Sequence, residues 1–291
     1  MSDAPPEEKQ PEKEEKQPEK TMPNHDTSSS HDSSDDVATS PTPHTQQGAP
    51  TMSSDAQQPT YSIISKCAAE FVALMVFVFV GSVQGLTTYD GVLHAALCHG
   101  IAIFVLVAVF ANVSGGHVNP AVTIGIAAAG KISPIEAVFY IIAQLAGGVL
   151  GAFIVRSILS YDNYVIIQGG ATLCANGVQW YQALLAEIFA TFLLVQTVLV
   201  TAVDGASNLA PLAIGFTVLM DILAVGGISG ASMNPGRSFG PNIVASIFMS
   251  DQLADRFWSM HWVYYVGPAV GALVAVALYR VFFAREHRLL K

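Results

Sequence analysis

From Ile63 onward the chain alternates long apolar runs with short polar breaks. A helix rising about 1.5 Å per residue needs about 20 apolar residues to cross the hydrocarbon layer of a bilayer. Six runs reach that length, at roughly 63–85, 92–111, 134–159, 179–202, 209–227 and 259–284. Two further segments, about 119–129 and 234–247, are moderately apolar but too short to cross. They are expected to dip in and end part-way.

The order of these segments contains a repeat. Ala69-Glu70-Phe71 in the first run returns as Ala186-Glu187-Ile188-Phe189 in the fourth, and an Asn-Pro pair follows 49 and 47 residues later, at Asn119 and Asn234. With three spans per half, the second copy enters the membrane from the opposite side, as in the inverted repeats of many transport proteins. The half-repeats are placed at about 61–160 and 178–285, and the two half-spans are expected to meet near the midplane.

Composition agrees and adds a boundary. Of the residues, 52% are hydrophobic and 12% charged, outside the range of an ordinary soluble domain. Residues 1–60 differ: they hold 12 of the 22 acids and 4 of the 13 bases, a net charge of −8, and repeat Glu-Lys-Gln-Pro-Glu-Lys at 8–13 and 15–20. Such a segment buries too little apolar surface to offset the entropy of ordering it. It is expected to be a disordered acidic cytoplasmic tail, ahead of a channel domain at 61–285 and a short cytoplasmic C-terminus at 286–291. The acidity belongs to the tail and implies no nucleic-acid partner.

Lys66, Lys131, Arg280, Arg285, Arg288 and Lys291 flank one side of the spans, against Arg156 and Arg256 on the other. By the positive-inside rule both termini are cytoplasmic, and the plasma membrane is the expected location. Cys67, Cys98 and Cys174 are isolated and imply neither a disulfide framework nor a metal site. No nucleophile and base pair, phosphate loop or cofactor motif is present, so no enzyme chemistry is expected.

The chemistry concentrates in the half-spans. The first reads Ser114-Gly115-Gly116-His117-Val118-Asn119-Pro120-Ala121. The second reads Ser229-Gly230-Ala231-Ser232-Met233-Asn234-Pro235-Gly236-Arg237-Ser238-Phe239-Gly240-Pro241. Each is an irregular entry, then proline at the first turn of a short helix. Irregular backbone at membrane depth is tolerated where it is buried in protein or lines a wet cavity. Here its carbonyls would form a ladder of acceptors. Asn119 and Asn234 would offer donors at the midplane, where two positive helix ends also converge. Water that accepts from both asparagines cannot relay a proton onward.

These paired segments resemble the signature of the aquaporin (major intrinsic protein) family, over roughly residues 60–285. The resemblance implies an all-α membrane protein with six transmembrane helices, two re-entrant half-helices and an inverted internal repeat. One pore per subunit, a homotetramer and passive passage of small neutral solutes come with it. It places Asn119, Pro120, Ala121, Asn234, Pro235 and Gly236 at the pore midplane and puts the selectivity filter on His99, Ile222, Ala231 and Arg237. Glu70, Glu187 and His117 are assigned as loop support.

Several residues depart from the family's usual patterns. Its strict water channels carry an aromatic, a histidine and often a cysteine where His99, Ile222 and Ala231 stand. Its glycerol-conducting members place aspartate after the arginine, where Ser238 stands. The quartet, with Asp221-Ile222-Leu223-Ala224 and Trp262-Val263-Tyr264-Tyr265-Val266-Gly267-Pro268, resembles the aquaporin-eight branch, in which ammonia and hydrogen peroxide pass with water. Gly236 replaces the usual alanine, and a looser midplane is expected. Asp221 has two open readings, a pair with a donor such as His99 or a backbone cap. Gly147, Gly148 and Gly151 are expected at close helix crossings. A coupled transporter would need an acidic midplane cluster and a hinge, and the sequence offers neither.

Overall fold

The computed structural model describes residues 61–87, 91–250, 256–286 and 288–290. The tail assigned to residues 1–60 lies outside the described residues. In chain order the helices are α1 (Ile63–Val83), α2 (Gly91–Ser114), α3 (Pro120–Ala128), α4 (Pro134–Ile158) and α5 (Tyr161–Ile166). They continue as α6 (Trp180–Thr197), α7 (Ala210–Ser229), α8 (Pro235–Phe248), α9 (Arg256–Ser259) and α10 (Val263–Leu278). Wider π-helical turns carry α6 on to Asp204 and α10 on to Phe283. Six helical stretches are long and apolar enough to cross a membrane, as the six runs predicted. The half-spans become α3 and α8, each starting at its proline, one residue after the asparagine that caps it.

The caps follow from side-chain chemistry. Ser62 Oγ accepts from Ser65 N–H at the start of α1, and Ser133 Oγ accepts from Glu136 N–H at the start of α4. Each satisfies one of the donors that a helix start leaves orphaned. Lys66 on α1 and Glu136 on α4 then pair at 2.9 Å where the two helices begin.

The packing repeats about a pseudo-twofold axis. Helix α1 lies along α4 and α6 along α10, while α2 and α7 cross at the axis. Helix α8 wedges against α4 and α1, α3 against α10 and α6, and α3 touches α8. Close crossings need residues without side chains. A Cβ on Gly147 would run into the Phe71 carbonyl of α1, and one on its counterpart Gly271 into the Ile188 carbonyl of α6. At the axis, a Cβ on Gly100 would stand 2.8 Å from the Gly215 carbonyl oxygen and one on Gly215 2.6 Å from that of Gly100. With Asn119 matched to Asn234, these two glycines are the same position in the two halves.

Gly147→Val places a branched side chain against backbone that cannot swing aside. It should destabilise the folded protein by about 1–3 kcal/mol, the usual scale of overpacking, read as a lower thermal unfolding temperature in detergent. Gly227→Ala, where an added Cβ meets nothing within 4 Å, should leave that temperature unchanged.

Candidate functional site

The site begins with two buried carboxylates. Glu70 Oε1 accepts from Ser114 Oγ at 2.6 Å and from His117 N–H at 2.9 Å, and Oε2 accepts from Val118 N–H at 2.7 Å. Glu187 Oε1 accepts from Ser229 Oγ at 2.7 Å and from Ser232 N–H at 2.9 Å, and Oε2 from Met233 N–H at 2.7 Å. Both glutamates are fully buried. The pattern repeats atom for atom, and both acids hold the loops that enter α3 and α8. Two tyrosines complete it: Tyr140 Oη donates to Ser114 O at 2.9 Å and Tyr264 Oη to Ser229 O at 2.6 Å.

These bonds hold backbone in an unusual conformation. Val118 and Met233, each just before its asparagine, have φ of 53° and 54°. For a side chain with a Cβ the left-handed region costs roughly 1–2 kcal/mol per residue. The turn it produces aims the carbonyl of each residue at the other half. Asn119 Nδ2 donates to Met233 O and Asn234 Nδ2 to Val118 O, both at 2.8 Å. The Oδ1 of each caps its own helix, accepting from Ala121 N–H at 2.8 Å and from Gly236 N–H at 3.1 Å. Each asparagine therefore caps a helix and ties the halves together. The second hydrogen of each amide is not committed to these bonds.

The looser midplane expected at Gly236 is not found. A Cβ there would run into the Leu74 side chain of α1, so leucine already fills the room that an alanine methyl would take. His117 bonds through Nδ1 to Thr123 Oγ1 at 3.1 Å, and Thr123 meets Gln144 Nε2, which also donates to Glu70 Oε2 at 2.7 Å.

Four residues assigned to the filter lie on the α8 side of the midplane. His99 is buried on α2, its Nδ1 2.8 Å from Ala95 O. A carbonyl only accepts, so Nδ1 carries hydrogen and Nε2 of the neutral ring is an acceptor. Ile222 on α7 and Ala231 on the loop before α8 are also buried. Arg237 is half-buried, and its charge acts on His99. Its Nη1 donates to Gly170 O at 3.1 Å and makes a very short bond to Thr172 Oγ1. Ser238 Oγ donates to the same Thr172 Oγ1 at 3.1 Å and meets Ser232 Oγ at 2.6 Å. Asp221 follows neither open reading: His99 bonds Ala95 instead, and Asp221 Oδ2 is buried without a hydrogen-bond partner among the described residues.

Two cavities approach this region from opposite sides. One of about 470 Å³ is lined by the segment before α6 and reaches in to Arg237. The other, about 650 Å³, opens at Lys131 and Asn208 and reaches in to Asn119. His99, Ile222, Ala231 and Asn234 line neither cavity. Sequence reasoning missed Thr172, Gln144 and the two tyrosines. Tyr140 and Tyr264 are 124 residues apart whereas Asn119 and Asn234 are 115 apart, so a single repeat offset does not pair them. Thr172 stands outside both motifs and had no signal.

Comparisons with known proteins agree with this geometry. Residues 57–279 match the model of the family described as Major intrinsic protein. The chain is 43% identical over 233 residues to the rice (Oryza sativa subsp. japonica) protein named Probable aquaporin TIP1-2, covering 74% of this chain and 85% of the relative. It is 42% identical over 239 residues to Aquaporin TIP2-1 of Arabidopsis thaliana, covering 75% and 88%. The crystal structure of the aquaglyceroporin from Plasmodium falciparum superposes with a TM-score of 0.67 at 26% identity, over 75% of this chain and 96% of that one. The likeness established in this way is to the family and, within it, to plant TIP aquaporins, a coarser and different placement from the aquaporin-eight branch. By these matches the chain belongs to the major intrinsic protein family as an integral membrane channel for water, not an enzyme.

Proposed function

We propose that this water channel also passes ammonia and hydrogen peroxide, selected at His99, Ile222, Ala231 and Arg237, and excludes protons and ions at the same place and at the midplane. The channel domain is assigned to residues 61–285, working as a homotetramer with one pore per subunit. The reading is carried by a guanidinium fixed as a donor and a histidine fixed in one tautomer. Arg237 is held by Gly170 O and Thr172 Oγ1, while His99 has Nδ1 committed to Ala95 O, so Nε2 remains as acceptor. Water, ammonia and peroxide each both donate and accept. Ile222 leaves the third wall apolar, which lowers the loss for a solute less polar than water. A fixed positive guanidinium repels cations, and donors, dipoles and width decide passage in aquaporin-type pores generally. The filter resembles the aquaporin-eight branch in its quartet, and that finer likeness supports ammonia and peroxide as solutes. Both termini are placed in the cytoplasm on charge grounds and the protein in the plasma membrane, which imaging of a fluorescent fusion tests.

Stopped-flow measurements on proteoliposomes test the solutes directly. Water, methylamine and hydrogen peroxide should all enter faster than in empty vesicles, with a rate linear in the gradient. Water alone above background would remove ammonia and peroxide from the reading.

Arg237→Val should raise the permeability to glycerol and urea relative to water, and an unchanged ratio would count against the filter assignment. Thr172→Val keeps the shape and removes the acceptor. A hydrogen bond to a charged group contributes about 1.5–3 kcal/mol, and about 1.4 kcal/mol is tenfold, so the glycerol-to-water ratio should rise by about tenfold or more. Thr172→Ser should restore the original ratio.

A further inference from the structure

We propose that Gly81, on the first span and outside both motifs, sets the open width of the filter by giving the His99 ring a place to withdraw from the lumen. The inference rests on the filter assignment above. A Cβ built on Gly81 would stand 2.5 Å from His99 Nε2, 2.9 Å from Cδ2 and 3.2 Å from Cε1, and these are its three nearest atoms. The space at Gly81 is therefore occupied by the imidazole. Glycine is a poor helix residue, and Gly81 is not among the positive-φ glycines. Backbone geometry does not call for it, and ring packing does.

The ring is confined on its other sides. Phe77, one turn earlier on α1, meets it edge-on with centroids 5.5 Å apart and planes at 82°. Its Nδ1 is tied to Ala95 O, one turn back on its own helix. A methyl at Gly81 has to displace the far edge of the imidazole, Nε2, Cδ2 and Cε1. The ring then yields on a side that none of these contacts occupies, which the proposal assigns to the lumen. Gly81 thus acts through His99 and is a positioning residue: it touches the filter wall from behind and never meets the solute.

The test uses full-length protein in liposomes, with protein content per vesicle measured, for wild type, Gly81→Ala, His99→Ala, the double variant and Gly91→Ala. The last is a control at which an added Cβ meets nothing within 4 Å. Gly81→Ala should lower water permeability per channel by about tenfold, an added barrier of about 1.4 kcal/mol, and should lower that of the larger methylamine further. The double variant should match His99→Ala alone, because the methyl acts only through the ring and the two changes are not additive. Gly81→Ala conducting like wild type with the same selectivity would overturn the proposal, as would a double variant as slow as Gly81→Ala. If Gly81→Ala fails to fold, a double variant that folds supports the ring clash, and a double variant that also fails refutes it. Wild type no faster than empty vesicles would strike the channel reading itself, which separates that failure from this one.

Discussion

Backbone placed at the depth of a membrane has no water to bond, and the structure meets that constraint with two carboxylates, Glu70 and Glu187. Each takes a serine hydroxyl and two consecutive backbone N–H groups from a loop that cannot pair with itself. A buried donor left unsatisfied costs about 1–3 kcal/mol, so three of them per loop would outweigh most of the stability of an ordinary domain. A carboxyl group suits the task because both of its oxygens accept here, whereas an amide would turn donors toward donors. The left-handed turns at Val118 and Met233, the cross-bonds of Asn119 and Asn234 and the half-helices behind them all depend on these two groups.

Around that common frame the halves diverge. Tyr140 and Tyr264 make the same bond to the same carbonyl in each half. One turn further along, α4 carries Gln144, which donates to Glu70 Oε2, and α10 carries Pro268. Proline has no polar side chain to offer, and Glu187 Oε2 receives the Met233 N–H without a counterpart of that glutamine. The first half thus closes on itself through Gln144, Thr123 and His117. In the second half the equivalent hydroxyls, Ser232 and Ser238, turn outward and join Thr172, which holds Arg237. The side without the glutamine is the side that carries the filter.

The fold was legible because its determinants are local or repeated. Run length gives spans, Asn-Pro gives the starts of α3 and α8, and the recurrence of glutamate before Asn-Pro gives the inversion. The filter assignment rests only on position relative to those motifs, and the groups that hold Arg237 were not legible at all. Thr172 comes from a connecting segment whose path is set by α5 and the turns after it, and Gly81 matters only because α1 and α2 place it behind His99. Gly236 shows the opposite error: read in isolation it implies slack, yet Leu74, far away in sequence, has already taken the space. Asp221 remains a buried acid with an unpartnered oxygen, and nothing in the structure accounts for it.

The repeat also sets the four proposed filter positions against their counterparts in the other half. Carrying His99, Ile222, Ala231 and Arg237 through the offset that relates Asn119 to Asn234 gives Ile214, Val107, Gly116 and Val122. All four line the 650 Å³ cavity that leads to Asn119. The same backbone frame therefore has two candidate constrictions, and the one on the Asn119 side holds two valines, an isoleucine and a glycine. These four positions carry no charge, ring or polar side chain, although Lys131, His117 and Asn119 line the same cavity. On the other side two hydrogens of the five-donor guanidinium are committed to Gly170 and Thr172. Symmetry supplies the frame, and the two halves differ at these four equivalent positions.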